Sequence, residues 1–143
     1  KEAVSVPVIV NGDIVDGATA AAALEQSGAD GVMVGRGIVG RPWIARAIEA
    51  ELDGRPQEAE PDITGRLAIA IDHFRDSLAF YGERLGLRMF RKHLAAYVEA
   101  APWPADALVR REARARLCSL DRPAEVESGL TALWSRPAER IAA

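Results

Sequence analysis

Two stretches of this chain carry the pattern of a strand running into a glycine-containing loop and then a helix, and this repeat constrains the fold more than any other feature. Val6-Pro7-Val8-Ile9-Val10 is a short β-branched run that stops at Asn11-Gly12-Asp13, as expected of a strand covered on both faces. Pro7 stands near its start, where a missing N–H is tolerated. Asp16 is placed to N-cap an alanine-rich helix through Glu25, and Gly28 suits the left-handed stop behind it. The pattern then repeats. Gly31-Val32-Met33-Val34 leads into Gly35-Arg36-Gly37, and after Gly40-Arg41-Pro42 a second helix, with Pro42 in its first turn, reaches about Leu52. Consecutive units of this kind imply parallel strands, which are stable only inside a larger sheet or barrel flanked by helices. Residues 1–52 are therefore expected to be an incomplete α/β segment, and self-association through its exposed strand edges is the expected hazard.

Residues 53–61, Asp-Gly-Arg-Pro-Gln-Glu-Ala-Glu-Pro, have the composition of an exposed linker. From residue 62 to 143 the periodicity is purely helical. Ile63, Leu67, Ile71, Phe74, Leu78 and Tyr81 form one apolar stripe on a helix that Asp62 can cap. Gly82 and Gly86 signal a turn, and a second helix is expected from about Leu85 to Ala100. A third follows Pro102-Trp103-Pro104, and a fourth follows Arg122-Pro123 and ends near Trp134. This predicts a small antiparallel helical bundle anchored by Trp103 and Trp134.

The formal charge of −3 does not suggest nucleic acid, but its distribution does. Arg84, Arg88, Arg91, Lys92, Arg110, Arg111, Arg114 and Arg116 face only Glu99, Asp106 and Glu112 in the same stretch, a local excess of five positive charges. Arg84, Arg88, Arg91 and Lys92 share one helix face, with Leu85, Met89, Phe90 and Leu94 turned elsewhere to pack. Arg110 and Arg114 share a side of the next helix. A solvated face tied by salt bridges and a surface for an RNA backbone are both compatible with this pattern.

The single cysteine excludes an internal disulfide, and no apolar run is long enough to span a membrane. A cytoplasmic setting is the expectation. Lys1 to Val10 has neither an initiator Met nor a leader-like apolar segment, so the chain reads as a piece of a longer protein.

The loops Asn11-Gly12-Asp13 and Gly35-Arg36-Gly37 both let backbone approach an anion, each on the way to a helix. In (β/α)8 barrels the loops after the last strands are the usual phosphate site. Ordinary tight turns would look the same. Asp13 would repel a phosphate directly, so its expected task is to orient amides or to hold Arg36.

The run Val8-Ile9-Val10-Asn11-Gly12-Asp13-Ile14, then Gly28-Ala29-Asp30-Gly31-Val32-Met33-Val34-Gly35-Arg36-Gly37 and Gly40-Arg41-Pro42-Trp43, closely resembles the end of the barrel in bacterial tRNA-dihydrouridine synthases. Leu87-Arg88-Met89-Phe90-Arg91-Lys92-His93-Leu94 and Tyr97 resemble the Arg-Lys-His helix of that family's carboxyl-terminal tRNA-binding domain. The resemblance covers most of residues 4 to 100. It implies the last two βα units of an FMN-binding TIM barrel, followed by an all-α helical bundle. It places Asn11, Gly12, Asp13, Gly35, Arg36 and Gly37 around the FMN phosphate, with NADPH as reductant. It also implies that Arg84, Arg88, Arg91, Lys92, His93, Arg110, Arg111 and Arg114 face tRNA, with Arg41 able to reach either cofactor or RNA.

The family's Asn-x-Gly-Cys-Pro loop, which carries the proton-donating cysteine, is absent from this sequence. Cys118 lies in a helical segment beside Leu117 and Leu120 and reads as a small buried hydrophobe. No catalytic residue is assigned, the isolated chain is expected to be inactive, and His73 and His93 alone do not suggest a metal site. A stand-alone RNA-binding module, and a piece of another phosphate-binding barrel enzyme with a subunit-contact domain, are the competing readings.

Overall fold

The computed structural model describes residues 1–56, 59–102 and 106–135. Strands β1 (Ile9–Val10) and β2 (Gly31–Val32) pair in parallel, with Ile9 opposite Gly31 and Val10 opposite Val32. Helices α1 (Gly17–Ser27), α2 (Ile44–Leu52), α3 (Ile63–Tyr81), α4 (Glu83–Ala100), α5 (Ala107–Ser119) and α6 (Pro123–Trp134) follow. Contacts divide the chain into two units, Lys1–Glu60 and Pro61–Ala143.

In the first unit the strands are shorter than the sequence suggests. Regular pairing covers two residues of each, although Asp30 N–H still donates to Val8 O at 2.8 Å and Met33 N–H to Val10 O at 2.8 Å. The Asp30 carboxylate takes over at one end, accepting from Val8 N–H at 2.7 Å and from Lys1 Nζ at 2.5 Å. The strand is also not covered on both faces. α1 packs on β1 and β2, α2 packs on α1, and Ile9 remains 57% exposed, because this sheet has too few layers to bury its second side. α1 has the expected ends. Asp16 accepts from Thr19 N–H at 2.8 Å while Thr19 Oγ1 accepts from Asp16 N–H at 3.1 Å, a reciprocal cap. Gly28 at φ 62° closes the helix. Pro42 precedes α2 in a turn rather than opening it, since Trp43 is the cap residue.

In the second unit Asp62 caps α3 by accepting from Gly65 N–H at 2.7 Å. The buried stripe of α3 centres on Ala70 and Phe74, whereas Ile63 and Tyr81, at its ends, stay exposed. Gly82 alone, at φ 76°, joins α3 to α4. Gly86 is not part of a turn. It lies inside α4 and is buried, and a Cβ there would collide with the Ser77 carbonyl and Leu78 Cα. The close approach of two helix backbones is the reason for a glycine at this position. Since Gly86 meets Ser77 and His93 meets His73, α3 and α4 run antiparallel. α6 packs on α3, α4 and α5, burying Val126, Leu130, Leu133 and Trp134. Trp134 thus sits in the core as the sequence suggests, and Trp103 lies outside the described residues.

Candidate functional site

The first site is a hollow at the carboxyl ends of the two strands. Asn11, Gly12, Asp13, Gly35, Arg36 and Gly37, all expected at a phosphate, line it together with Ile14 and Val15, around about 670 Å3. β1 and β2 lie side by side, so the loops after them must meet. Gly37 allows the contact, because a side chain there would strike the Ile14 carbonyl. Arg36 Nη2 donates to Asp13 Oδ1 at 3.1 Å, with both side chains 92% exposed. Asp13 therefore holds the guanidinium at the mouth of the hollow. It does so from a left-handed backbone, φ 41°, which Asp tolerates better than most residues. Among the described residues the backbone N–H groups of Gly12, Asp13, Arg36 and Gly37 donate to no other group. Four free amides beside an exposed guanidinium form a donor set suited to an anion. Arg41 is not part of this lining and donates from Nη2 to Val15 O at 3.4 Å. Sequence reasoning missed Ile14 and Val15 as lining, although they directly follow Asn11-Gly12-Asp13.

The second site is the outer face of α4. Arg84, Arg88, Arg91 and Lys92 are all exposed. They are free of ion pairs among the described residues. Arg84, Arg88 and Arg91 border a groove of about 830 Å3 together with Tyr81, Leu85 and Asp121. Leu85 and Met89 do not turn inward to pack. They are 40% and 43% exposed, because the buried arc of α4 runs through Gly86, Phe90, Leu94, Tyr97 and Val98, and they fall on the edge of the basic face instead.

The arginines of α5 divide. Arg110 Nη1 donates to Val98 O at 3.1 Å and to Glu99 O at 2.5 Å, capping the end of α4. Arg114 pairs with Glu99 at 3.5 Å, as the salt-bridge reading of this helix anticipated. Arg111 is exposed and makes no ion pair among the described residues.

His93 lies on the inner side of α4. Its ring stands 4.7 Å from that of His73 and 5.8 Å from Phe90. Burial, reinforced by the facing His73 and by Lys92, lowers its pKa, and burial lowers that of His73 against the pull of Asp76. The Tyr97 hydroxyl lies 3.1 Å from His73 Nδ1 and is pushed up to about 12 by burial. Cys118 is half-buried, donates weakly to Arg91 O at 3.7 Å, and has its pKa raised by burial in spite of Arg114 and Arg91 nearby. No cluster of three or more metal-ligating side chains, and no helix long and apolar enough to cross a membrane, occurs among the described residues.

The family model described as dihydrouridine synthase (Dus) matches residues 1–127. The chain belongs to the dihydrouridine synthase family. It is 49% identical over 111 residues to a probable tRNA-dihydrouridine synthase of Rhodobacter capsulatus, a match covering 78% of this chain and 34% of that protein. A probable tRNA-dihydrouridine synthase of Rhizobium leguminosarum bv. phaseoli is 42% identical over 130 residues, 91% of this chain and 38% of its own length. The tRNA-dihydrouridine synthase B of Pectobacterium carotovorum is 42% identical over 99 residues, 69% of this chain and 31% of that enzyme. The chain thus spans about a third of the length of the curated relatives it matches.

Proposed function

We propose that this chain is part of a flavin-dependent tRNA-dihydrouridine synthase, contributing a half-site for the FMN phosphate and a helical unit that grips tRNA. In this reading residues 1–52 are the last two βα units of a TIM barrel, residues 53–61 a linker, and residues 62–143 the RNA-binding bundle. The observation that carries it is the convergence of Asn11-Gly12-Asp13 and Gly35-Arg36-Gly37 on one hollow in a member of this family. The donor set suits a phosphate: both loops offer backbone amides with no backbone acceptor among the described residues, Arg36 supplies the charge, and Asp13 pairs with that guanidinium. When bound, FMN supplies the hydride chemistry that reduces a tRNA uridine, with NAD(P)H as the reductant of the whole enzyme in the cytoplasm. The chain carries no assigned proton donor, since Cys118 is half-buried in the bundle with a raised pKa. By itself it is therefore inactive.

For RNA the outer face of α4 leads. Arg84, Arg88, Arg91 and Lys92 are exposed and unpaired among the described residues, and Arg111 adds to them. Arg110, Arg114 and His93 contribute less directly, through the α4 cap, the Glu99 pair and the α3–α4 packing. The test is a titration of labelled unmodified tRNA with the full chain at several salt concentrations. Affinity should fall steeply with salt, and Arg88→Ala or Arg91→Ala should each reduce the slope of log affinity against log salt by about 1. Absence of binding at low salt, in a folded chain, would favour a subunit-contact role for the bundle.

A further inference from the structure

The last turn of α3 carries two adjacent aromatic side chains that the bundle does not bury. Phe80 is 82% exposed, the highest value among the exposed large hydrophobic side chains. Its ring meets that of Tyr81 edge to face, with centroids 4.8 Å apart and planes at 82°. Helical spacing explains the exposure. The buried stripe of α3 runs through Ala70 and Phe74, and a residue six positions beyond Phe74 falls about 120° away from it. Gly82 then turns the chain, so that Tyr81 opens the groove that Arg84, Arg88 and Arg91 continue, with Glu83 and Asp121 also on its wall.

We infer that Phe80 and Tyr81 form a stacking platform for an unpaired nucleobase, whose flanking phosphates lie on Arg84, Arg88 and Arg91. The inference rests on the RNA-binding reading and adds to it an element that contacts bases. An exposed ring face is of no use to duplex RNA, whose bases are already stacked, but it suits a base in a loop, a bulge or an end. Aromatic rings interleaved with guanidinium groups are the usual arrangement for gripping single strands, because every base has a π-face and every linkage a phosphate. Asp76 lies one turn before Phe80 and shares a shallow recess with Phe80 and Tyr81. Its carboxylate disfavours phosphate on that side, whereas the groove, with three arginines against Glu83 and Asp121, keeps a net positive charge to draw the backbone toward α4. A protein partner would also cover Phe80 but would give no reason for three unpaired arginines in the groove that the neighbouring Tyr81 opens.

The experiment compares two labelled ribo-oligonucleotides of equal length, about ten nucleotides, binding to the full chain: oligouridylate, and the same backbone with abasic riboses at its centre. Their charges are equal, so salt-dependent binding reports the arginines and the difference between them reports stacking. The wild-type chain should prefer the base-bearing strand by about tenfold. Phe80→Ala should abolish that preference while keeping the salt slope, and Phe80→Tyr should retain it. A preference unchanged in Phe80→Ala, or salt-sensitive wild-type binding with no preference, would overturn the platform and leave the RNA reading standing. Failure of the wild-type chain to bind either strand at low salt would overturn both. Loss of self-association in Phe80→Ala, measured by sedimentation, with the base preference intact would assign the pair to a protein contact instead.

Discussion

Gly86 is where α3 and α4 come closest, and replacing it with alanine sets two effects of known size against each other. In a helix interior the change from glycine gains about 1 kcal/mol of intrinsic propensity. Against this, the new Cβ would stand 2.7 Å from the Ser77 carbonyl oxygen, 2.9 Å from Leu78 Cα and 3.1 Å from Leu78 Cδ2. The first two are backbone atoms, so no rotamer change relieves the contact. The helices must separate, and the Phe74–Phe90 contact, with centroids 4.9 Å apart, must loosen. Adding a methyl to a well-packed contact costs about 1–3 kcal/mol, with backbone movement at the upper end. The net expectation is a loss of about 1–2 kcal/mol, read as a fall in Tm of roughly 5–15 °C for a unit of this size. Thermal and urea unfolding followed by far-ultraviolet circular dichroism measures it. Ala95→Gly, on a half-buried position of the same helix, should lose about 1 kcal/mol and supplies the propensity term separately. If Gly86→Ala raised Tm, propensity would dominate, and the close crossing of α3 and α4 would be refuted.

Arg110→Ala should destabilise the bundle by about 1 kcal/mol, because it removes the cap on Val98 O and Glu99 O. Arg111→Ala should leave stability within about 0.5 kcal/mol and act on RNA affinity alone; equal stability losses at the two sites would contradict the capping role. The folded-state pKa values of His73 and His93 lie below the usual histidine value, so the unfolded chain binds more protons in the window beneath it. Their contribution to stability is complete above about pH 6.5 and is lost as pH falls below it. The urea midpoint should therefore drop on acidification, and His93→Phe should flatten the dependence; an unchanged profile in that variant would exclude the ring pair as its source. Cys118, with its raised pKa, should react with iodoacetamide at neutral pH more slowly than a free thiol and accelerate in urea. Equal rates would place the sulfur outside the α4–α5 contact.

Where the chain announces local backbone geometry, the sequence was readable. Asp16, Gly28 and Asp62 have one dominant use each, and the structure places them at the helix ends expected. The hollow was legible for a related reason: parallel strands that pair bring their following loops together, so Asn11-Gly12-Asp13 and Gly35-Arg36-Gly37 had to meet. Tertiary detail was not legible in the same way. Gly86 looks like a turn residue until the partner helix is known, and Arg110 counts as positive charge until its carbonyl acceptors are seen. His93 follows Arg91 and Lys92 in sequence, but 100° per residue carries it round to the α3 side. Apolarity suggests packing for Leu85 and Met89, and only the position of the buried arc shows that both stay exposed, Leu85 on the wall of the groove. Phe80 had no place in the helical stripe, and that mismatch was the one signal that could have marked it.

The one-residue joint at Gly82 bears on the order of assembly during folding. A loop this short has almost no closure entropy to overcome, so α3 and α4 can zip together from their shared end as soon as both exist. α6, by contrast, must return across two intervening helices, α4 and α5, to reach α3. The helical hairpin that carries the basic face is therefore expected to form early, with high φ-values at Phe74 and Phe90 and low ones at Leu130. During synthesis the arginine groove of α4 would be presented before the rest of the bundle has closed behind it.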